Sequence, residues 1–413
     1  MKFLQICKKI LKWKIRLLAV WTLKRYKPTV IGITGSAGKT SAKEAIFCVL
    51  KKEYTCRRTA KNFNNEFGTP LTILGDYQEV EGIFFWFKVL WKSFWRIIIK
   101  DKNYPEVLIL EMAADRPGDI KYLTNLAKPK IGVITAIGDI PVHVEFYSSP
   151  EAVAREKGRL IESLPEKGFA ILNFDDEKVW DLKNKTRAEI LSFGFNHGAD
   201  VQIGNMEYRI ENGKPEGIAF KVQYGGSFVP IRLNKTFGKP QAYAAAAAIG
   251  VGIMFGLHLV EISEALSEYE APDGRMKLIN GVKKTLILDD SYNASPLSMI
   301  AALETLKSLP AKRRLAVLGD MLEIGEYAEE AHRNIGKIAA EIVDILFCIG
   351  PRSHFMAESA LKAGLDSKKV QVFNTSESAM KMIEKELKQG DLVLVKGSHA
   401  MELDKVLEEI RMM

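Results

Sequence analysis

Residues 30–51 run as an apolar segment, a glycine turn and a helix-like segment, and the turn reads Gly35-Ser36-Ala37-Gly38-Lys39-Thr40. VIGIT over residues 30–34 is the aliphatic run of a strand buried on both faces. Ser41–Lys51 has helical periodicity. A glycine turn between such elements lets backbone N–H groups close on phosphate, and the helix N-terminus behind it favours negative charge. In such a loop Lys39 reaches the terminal phosphates of ATP and Thr40 ligates Mg²⁺. The usual nucleotide loop has a further glycine five residues before Gly38, where this chain has Ile33. The loop is therefore a shortened variant, and its context predicts a parallel-sheet ATPase domain.

Further apolar runs extend that prediction. VLILEM (107–112) and IGVITAI (131–137) continue a parallel sheet, residues 168–235 alternate as an antiparallel elaboration, and Ala242–Gly252 forms an alanine-rich helix. APDG at residues 271–274 breaks the pattern. Beyond it, TLILDD, RLAVLGD, DILFCIG, VQVFN and DLVLVKG alternate with helix-like segments, as in a smaller Rossmann-like, doubly wound domain. The predicted division is residues 1–27 as a basic N-terminal helix, 28–271 as a central ATP-binding domain and 272–413 as a C-terminal domain.

Three residues carry possible chemistry in this frame. Glu111 ends a buried strand, where a carboxylate either caps the strand or lines the ligand crevice. His143 follows another strand. Lys157 lies in the helix-like EAVAREKGRLIESL, where a surface lysine is the default.

The formal net charge is +8, and its location decides what it means. Residues 1–27 hold nine Lys and Arg and no acid, and residues 83–100, IFFWFKVLWKSFWRIIIK, hold four cations at every fourth position and no acid. Five of the six tryptophans fall in these two segments. As a helix, residues 1–27 gather Phe3, Leu4, Ile6, Cys7, Ile10, Leu11, Ile15, Leu17 and Leu18 on one broad face. Such a helix either lies in a membrane interface or packs on protein. Tryptophan and basic residues together favour an anionic membrane surface. Broad aliphatic faces disfavour nucleic acid. Residues 1–27, whose longest uncharged run is Leu17–Leu23, lack the length of uncharged chain that a spanning helix or a signal peptide requires. Cys7, Cys48, Cys56 and Cys348 form no CxxC or metal-ligand spacing, as expected of reduced thiols in the cytoplasm. The predicted location is cytoplasmic, peripheral on the inner face of the cell membrane.

Seven segments in one order, GITGSAGKT, KNFNNEFGTPLT, LEMAADRPGDI, the His143–Lys157 interval, DDSYNASP, GDMLEIGE and LVKGSHAME, resemble the Mur ligases from about residue 28 onward. The resemblance implies an ATP-dependent amide ligase that activates a carboxylate as an acyl phosphate and joins it to an amine. Within the family it points to addition of D-alanyl-D-alanine to a muramoyl-tripeptide in peptidoglycan synthesis. By position it implies that Gly35, Ser36, Ala37, Gly38, Lys39 and Thr40 hold ATP, and that Thr40, Glu111, His143 and Lys157 serve two Mg²⁺ ions, Lys157 as a CO₂-derived carbamate. It implies that Arg275 meets the ATP phosphates, that Asp290 faces the nucleotide and that Tyr292 and Asn293 face substrate. It places Asn64 and Asn65 near the acceptor, and Lys396 and Ser398 near the incoming amine.

The chain departs from the family pattern at Ala136, where an asparagine is usual, and at Pro240, Gln241 and Ala244, which replace an adenine-holding His-Asn…Asn signature. Gln241 is the residue there with an amide to offer adenine. In place of the family's first domain, which grips the UDP end of the substrate, the chain has the basic segment. Two alternatives follow: a related ligase acting on another cell-envelope precursor, or a membrane-associated nucleotide-binding scaffold without ligase activity.

Overall fold

The computed structural model describes residues 2–60, 63–80 and 82–412, with the side chains of residues 2–7 and of Ile83 left aside. Lys61 and Asn62 of KNFNNEFGTPLT, and the Phe3–Cys7 part of the expected apolar face, lie outside what is described.

The chain opens with helix α1 (Lys2–Tyr26) and enters a nine-stranded sheet at β1 (Thr29–Thr34). Helix α2 (Lys39–Leu50) follows the glycine turn. Then come β2 (Cys56–Arg58), α3 (Gly68–Leu74), α4 (Gly82–Ile98), β3 (Val107–Glu111), α5 (Asp119–Ala127), β4 (Ile131–Ile134), α6 (Pro150–Glu162), β5 (Phe169–Asn173), α7 (Glu177–Trp180) and β6 (Glu189–Gly194). A hairpin series, β7 (Val201–Glu211), β8 (Lys214–Tyr224) and β9 (Ser227–Asn234), completes the sheet, whose order is β2-β3-β1-β4-β5-β6-β7-β8-β9. Only the β7–β8 and β8–β9 pairings are antiparallel. The expected antiparallel elaboration from residue 168 is corrected in part, because β5 and β6 continue the parallel sheet. Phe169–Asn173 is buried nearly throughout, and such a strand suits a central parallel position.

Helices α8 (Lys239–Met254) and α9 (Leu259–Ser267) close one face of this sheet. The alanines of α8 are buried, which lets its backbone approach α2 closely. Beyond the 272–276 loop a six-stranded sheet runs β10-β11-β15-β12-β13-β14. Its strands are β10 (Lys277–Gly281), β11 (Thr285–Asp289), β12 (Arg313–Gly319), β13 (Ile345–Ile349), β14 (Val370–Phe373) and β15 (Asp391–Lys396). Helices α10 (Pro296–Ser308), α11 (Ala328–Ala340), α12 (His354–Lys362), α13 (Ser376–Glu386) and α14 (Asp404–Ile410) cover both faces. All pairings but β10–β11 are parallel. The chain is thus an α/β protein of two parallel-sheet layers systems.

One apolar cluster spans both sheets. Val144, Val153 and Phe237 pack with Met276, Leu288 and Met299. The ends of β1, β3 and β4 consequently face the 272–276 loop.

Helix α1 corrects part of the sequence reading. Ile15, Leu18 and Ala19 are buried against α3, α4 and α5, so its inner face is spent on protein. Lys12 pairs with Glu66 and lies with Arg16 over the Tyr122 ring. The cation row of α4 is also incomplete: Arg96 is 3.1 Å from Asp101 and donates to the Leu74 carbonyl.

Candidate active site

The glycine turn between β1 and α2 is shaped by two special positions. Gly38 has φ 84°, and a Cβ on Gly35 (φ 150°) would stand 2.1 Å from Thr135 Oγ1. Only glycine meets both demands. Thr135 fastens the turn by donating to the Ala37 carbonyl at 2.6 Å. The N–H groups of Ser36 and Ala37 donate to the Ala136 carbonyl, at 2.6 and 3.2 Å. These bonds tie the turn to the segment that follows β4. The donors left are those of the first turn of α2, which begins at Lys39 and has no side-chain cap at its N-terminus. Lys39 folds back onto the turn, donating from Nζ to the Gly35 carbonyl at 2.7 Å. Burial pulls its pKa below the ordinary lysine value, opposed by Glu111.

Glu111, at the end of β3, is buried and sits beside this turn. Thr40 Oγ1 donates to one of its oxygens at 3.1 Å and Asn64 Nδ2 to the other at 3.2 Å. Lys43 Nζ lies 3.7 Å away and donates to the Thr59 carbonyl. Sequence reading missed Lys43, because a lysine inside a helix looks like any surface lysine. Thr40 and Glu111 supply the hard oxygen donors that Mg²⁺ prefers, so the pair fits that ion.

His143 stands at the other side. Its φ is 71°, its Nε2 is 3.4 Å from Asp115 Oδ1, and its Nδ1 is 2.9 Å from Glu323 Oε2. Glu323 also has a left-handed backbone, φ 61°, and comes from the second sheet's unit. The His143 ring beside it holds its carboxyl below the usual carboxylate range. Neither Asp115 nor Glu323 was found by sequence reading, although both lie inside segments that carried the family resemblance.

Lys157 is 1% exposed on α6. No hydrogen bond to its ammonium is present among the described residues. Burial first, and then the charge of Lys39, lower its pKa to about 7. Its neighbour Glu156 is turned away, accepting from the Ile120 N–H at 3.0 Å. As a cation this group is a poor ligand for Mg²⁺, but its lowered pKa leaves much of it as the neutral amine, which is the form that adds to CO₂.

Arg275 arrives on the 272–276 loop. Its guanidinium lies 4.3 Å from the Tyr292 ring centroid, and its charge reaches Lys39. Asp289 and Asp290 anchor that loop, accepting from the N–H groups of Gly274 (3.0 Å) and Met276 (3.1 Å).

Four of the expected site residues have hydrogen-bond or ion-pair partners within the protein. Gln241 is 1% exposed; its Nε2 donates to the Arg275 carbonyl at 2.8 Å and its Oε1 accepts from Tyr269 at 2.8 Å. Asp290 Oδ2 is 2.6 Å from Lys396 Nζ, an ion pair that ties the loop after β11 to the end of β15. Lys396, also buried, donates to the Asn293 carbonyl at 2.9 Å and so orders the DDSYNASP loop. Ser398 Oγ accepts from the Leu322 N–H at 2.9 Å, joining the LVKGSHAME and GDMLEIGE segments. Asn293 Oδ1 accepts from the Ala294 N–H, while the Tyr292 ring stacks on His399 at 5.5 Å. Asn65 is exposed, and its Oδ1 accepts from the N–H groups of Phe67 and Gly68 at the start of α3.

Known proteins resemble this chain in sequence and fold. Residues 97–252 match the Mur ligase middle domain, and residues 274–399 match the Mur ligase, glutamate ligase domain. The UDP-N-acetylmuramoyl-tripeptide--D-alanyl-D-alanine ligase of Bacillus subtilis (strain 168) is 31% identical over 95% of this chain and 78% of its own length. The protein of that name from Escherichia coli (strain K12) is 28% identical over 95% of this chain and 79% of its own. The MurF ligase of Thermotoga maritima, solved in complex with ADP, superposes with TM-score 0.78 at 28% identity, covering 96% of this chain and 83% of that one. A MurF structure from Acinetobacter baumannii gives TM-score 0.79 at 23% identity over 96% of this chain and 80% of that one, a likeness of fold. On these matches the chain belongs to the Mur ligases, ATP-dependent enzymes that form carbon–nitrogen bonds.

Proposed function

We propose that this protein joins D-alanyl-D-alanine to the terminal carboxylate of a muramoyl-tripeptide, consuming ATP, in peptidoglycan precursor synthesis on the cytoplasmic side of the cell membrane. The observation that carries the reading is 31% identity across 95% of the chain to a ligase named for that reaction.

The chemistry divides among residues already described. The first turn of α2 and Lys39 bind the ATP phosphates, and Arg275 supplies a second cation from the other sheet. The acceptor carboxylate attacks the γ-phosphorus, the bond to the β-phosphate oxygen breaks, and an acyl phosphate and ADP result. The dipeptide amine then attacks the acyl carbon. The tetrahedral adduct loses phosphate and a proton to give the amide. Lys39 and Arg275 stabilise the negative charge that develops on the transferred group. Thr40 and Glu111 would hold Mg²⁺, which when bound neutralises phosphate charge. His143, braced by Asp115 and Glu323, and Lys157 as its carbamate would complete a second such site. Asn64, tied to Glu111, and Asn65 border the side from which the acceptor enters. Tyr292, Asn293 and the segment around Ser398 border the side of the amine.

The test is ADP release with UDP-muramoyl-tripeptide and D-alanyl-D-alanine, each omitted in turn. One amide formed per ADP, with neither released when a substrate is missing, supports the assignment. ADP release that does not need the dipeptide overturns it.

A further inference from the structure

We propose that the outward surface shared by α1 and α4 docks the protein on an anionic phospholipid bilayer. The inference goes beyond the ligase reading, and its test needs no turnover.

Helix α4 is turned the wrong way for a helix that serves only the protein's own core. Its buried side is centred on Val89 and Ser93. Its outward side carries Phe84 (84% exposed), Phe87 (65%), Trp91 (68%) and Trp95 (41%), with Phe94 and Ile98 beside them. A fold that buries a serine and leaves five aromatic rings outside has not used this face internally. Helix α1 contributes Ile10, Trp13 and Trp21 from its own outward side. The helices adjoin, and Leu17, Phe87, Leu90, Trp91 and Phe94 line an apolar groove between them, with Lys14 and Lys88 at its edge. Indole rings over an aliphatic bed, edged by ammonium groups, match the boundary between acyl chains and headgroups.

Charge selects the occupant. The two segments hold 13 of the chain's 59 Lys and Arg and none of its acids, so the rest of the chain carries 46 basic residues against 51 acidic ones. These two segments therefore account for all of the net positive charge. Lys12 and Arg96 are engaged with Glu66 and Asp101, but Lys8, Lys9, Lys14, Lys88, Lys92 and Lys100 are exposed. A second copy docked face to face would set these cations against each other, whereas anionic headgroups complement them. No helix among the described residues is long and apolar enough to cross a membrane, so the contact proposed is peripheral.

The test is co-sedimentation of the full chain with phosphatidylcholine vesicles, with and without phosphatidylglycerol. The protein is expected to pellet with the anionic vesicles, progressively less as salt is raised. Phe87→Glu/Trp91→Glu is expected to abolish pelleting. Lys88→Glu/Lys92→Glu is expected to weaken it by roughly fivefold or more for each lysine reversed. Both pairs lie outside the core and the ATP site, so thermal unfolding and ATP binding should be unchanged and report intact folding. Absence of pelleting with anionic vesicles overturns the proposal, as does equal pelleting of wild type and the Phe87→Glu/Trp91→Glu variant. A concentration-dependent dimer that this variant returns to monomer, without vesicle binding by wild type, assigns the face to a second copy and overturns it too.

Discussion

The side-chain amide of Gln241 donates to the backbone carbonyl of Arg275 at 2.8 Å, so helix α8 of the first sheet holds the loop on which the second sheet's arginine rides. Tyr269 and Ser41 hold the same amide from behind, which fixes its orientation. Gln241→Ala should leave the Arg275 carbonyl without a partner inside the protein and the Tyr269 hydroxyl with only its 3.5 Å bond to the Ser41 carbonyl, at a cost of about 1–3 kcal/mol. The expected kinetic result is a fall in kcat of roughly tenfold with a smaller change in the KM for ATP, because the arginine is displaced rather than removed. Unchanged kcat in a folded variant would remove the tether from the account.

Gly35 is irreplaceable for a local reason. Gly35→Ala brings a methyl group to 2.1 Å from Thr135 Oγ1 at φ 150°. The expected loss is on the order of 2 kcal/mol or more in stability, with ATP binding lost. Adding Thr135→Ala relieves the side-chain clash but not the backbone strain, nor the 3.1 Å approach to the Ala136 carbonyl. The double variant should therefore regain part of the melting temperature and little of the ATP affinity, measured by calorimetry.

His332 makes the second sheet's unit sensitive to acid. Its buried Nε2 accepts from the Met321 N–H at 3.0 Å, and its Nδ1 donates to the Ala328 carbonyl at 2.6 Å. Burial lowers its pKa from 6.5 to about 4. Between those values the unfolded chain takes up a proton that the folded chain refuses, so stability falls as pH drops from 6.5 towards 4 and the loss then levels off. The full effect is about 3 kcal/mol. His332→Gln is expected to be less stable than wild type at neutral pH, with the gap closing as pH falls. A gap that stays constant in denaturant titrations would exclude His332 as the source.

Lys157 offers a chemical readout independent of turnover. Protein equilibrated with ¹³C-bicarbonate should show a carbamate carbon resonance that Lys157→Met lacks, while the variant keeps its fold and its ATP affinity. A spectrum identical for both proteins would leave Lys157 as an unmodified amine.

Lys39, Thr40 and Glu111 were legible in the sequence because strand, turn and helix leave them few places to go. A turn after β1 and the end of β3, its neighbour in a parallel sheet, must lie side by side. The partners of Gln241 were not legible. Whether its amide meets adenine or a backbone carbonyl depends on residue 275, which the second sheet carries. Asp115 and Glu323 were hidden for a related reason: each acquires its neighbour His143 only through loops with left-handed backbone, at residues 143 and 323. The two basic segments show the limit from the other side. Helical periodicity identifies an apolar face but not what covers it, and α1 gives its inner face to protein while α4 keeps aromatic rings outside.

The distribution of indoles has an optical consequence. Trp13, Trp21, Trp91 and Trp95 are exposed on the α1–α4 side and Trp86 is half-buried there, whereas Trp180 is set apart against Phe174 with Lys183 over its ring. The intrinsic emission of this protein is thus dominated by a single surface. Its wavelength records the polarity of whatever that surface touches, with no label attached.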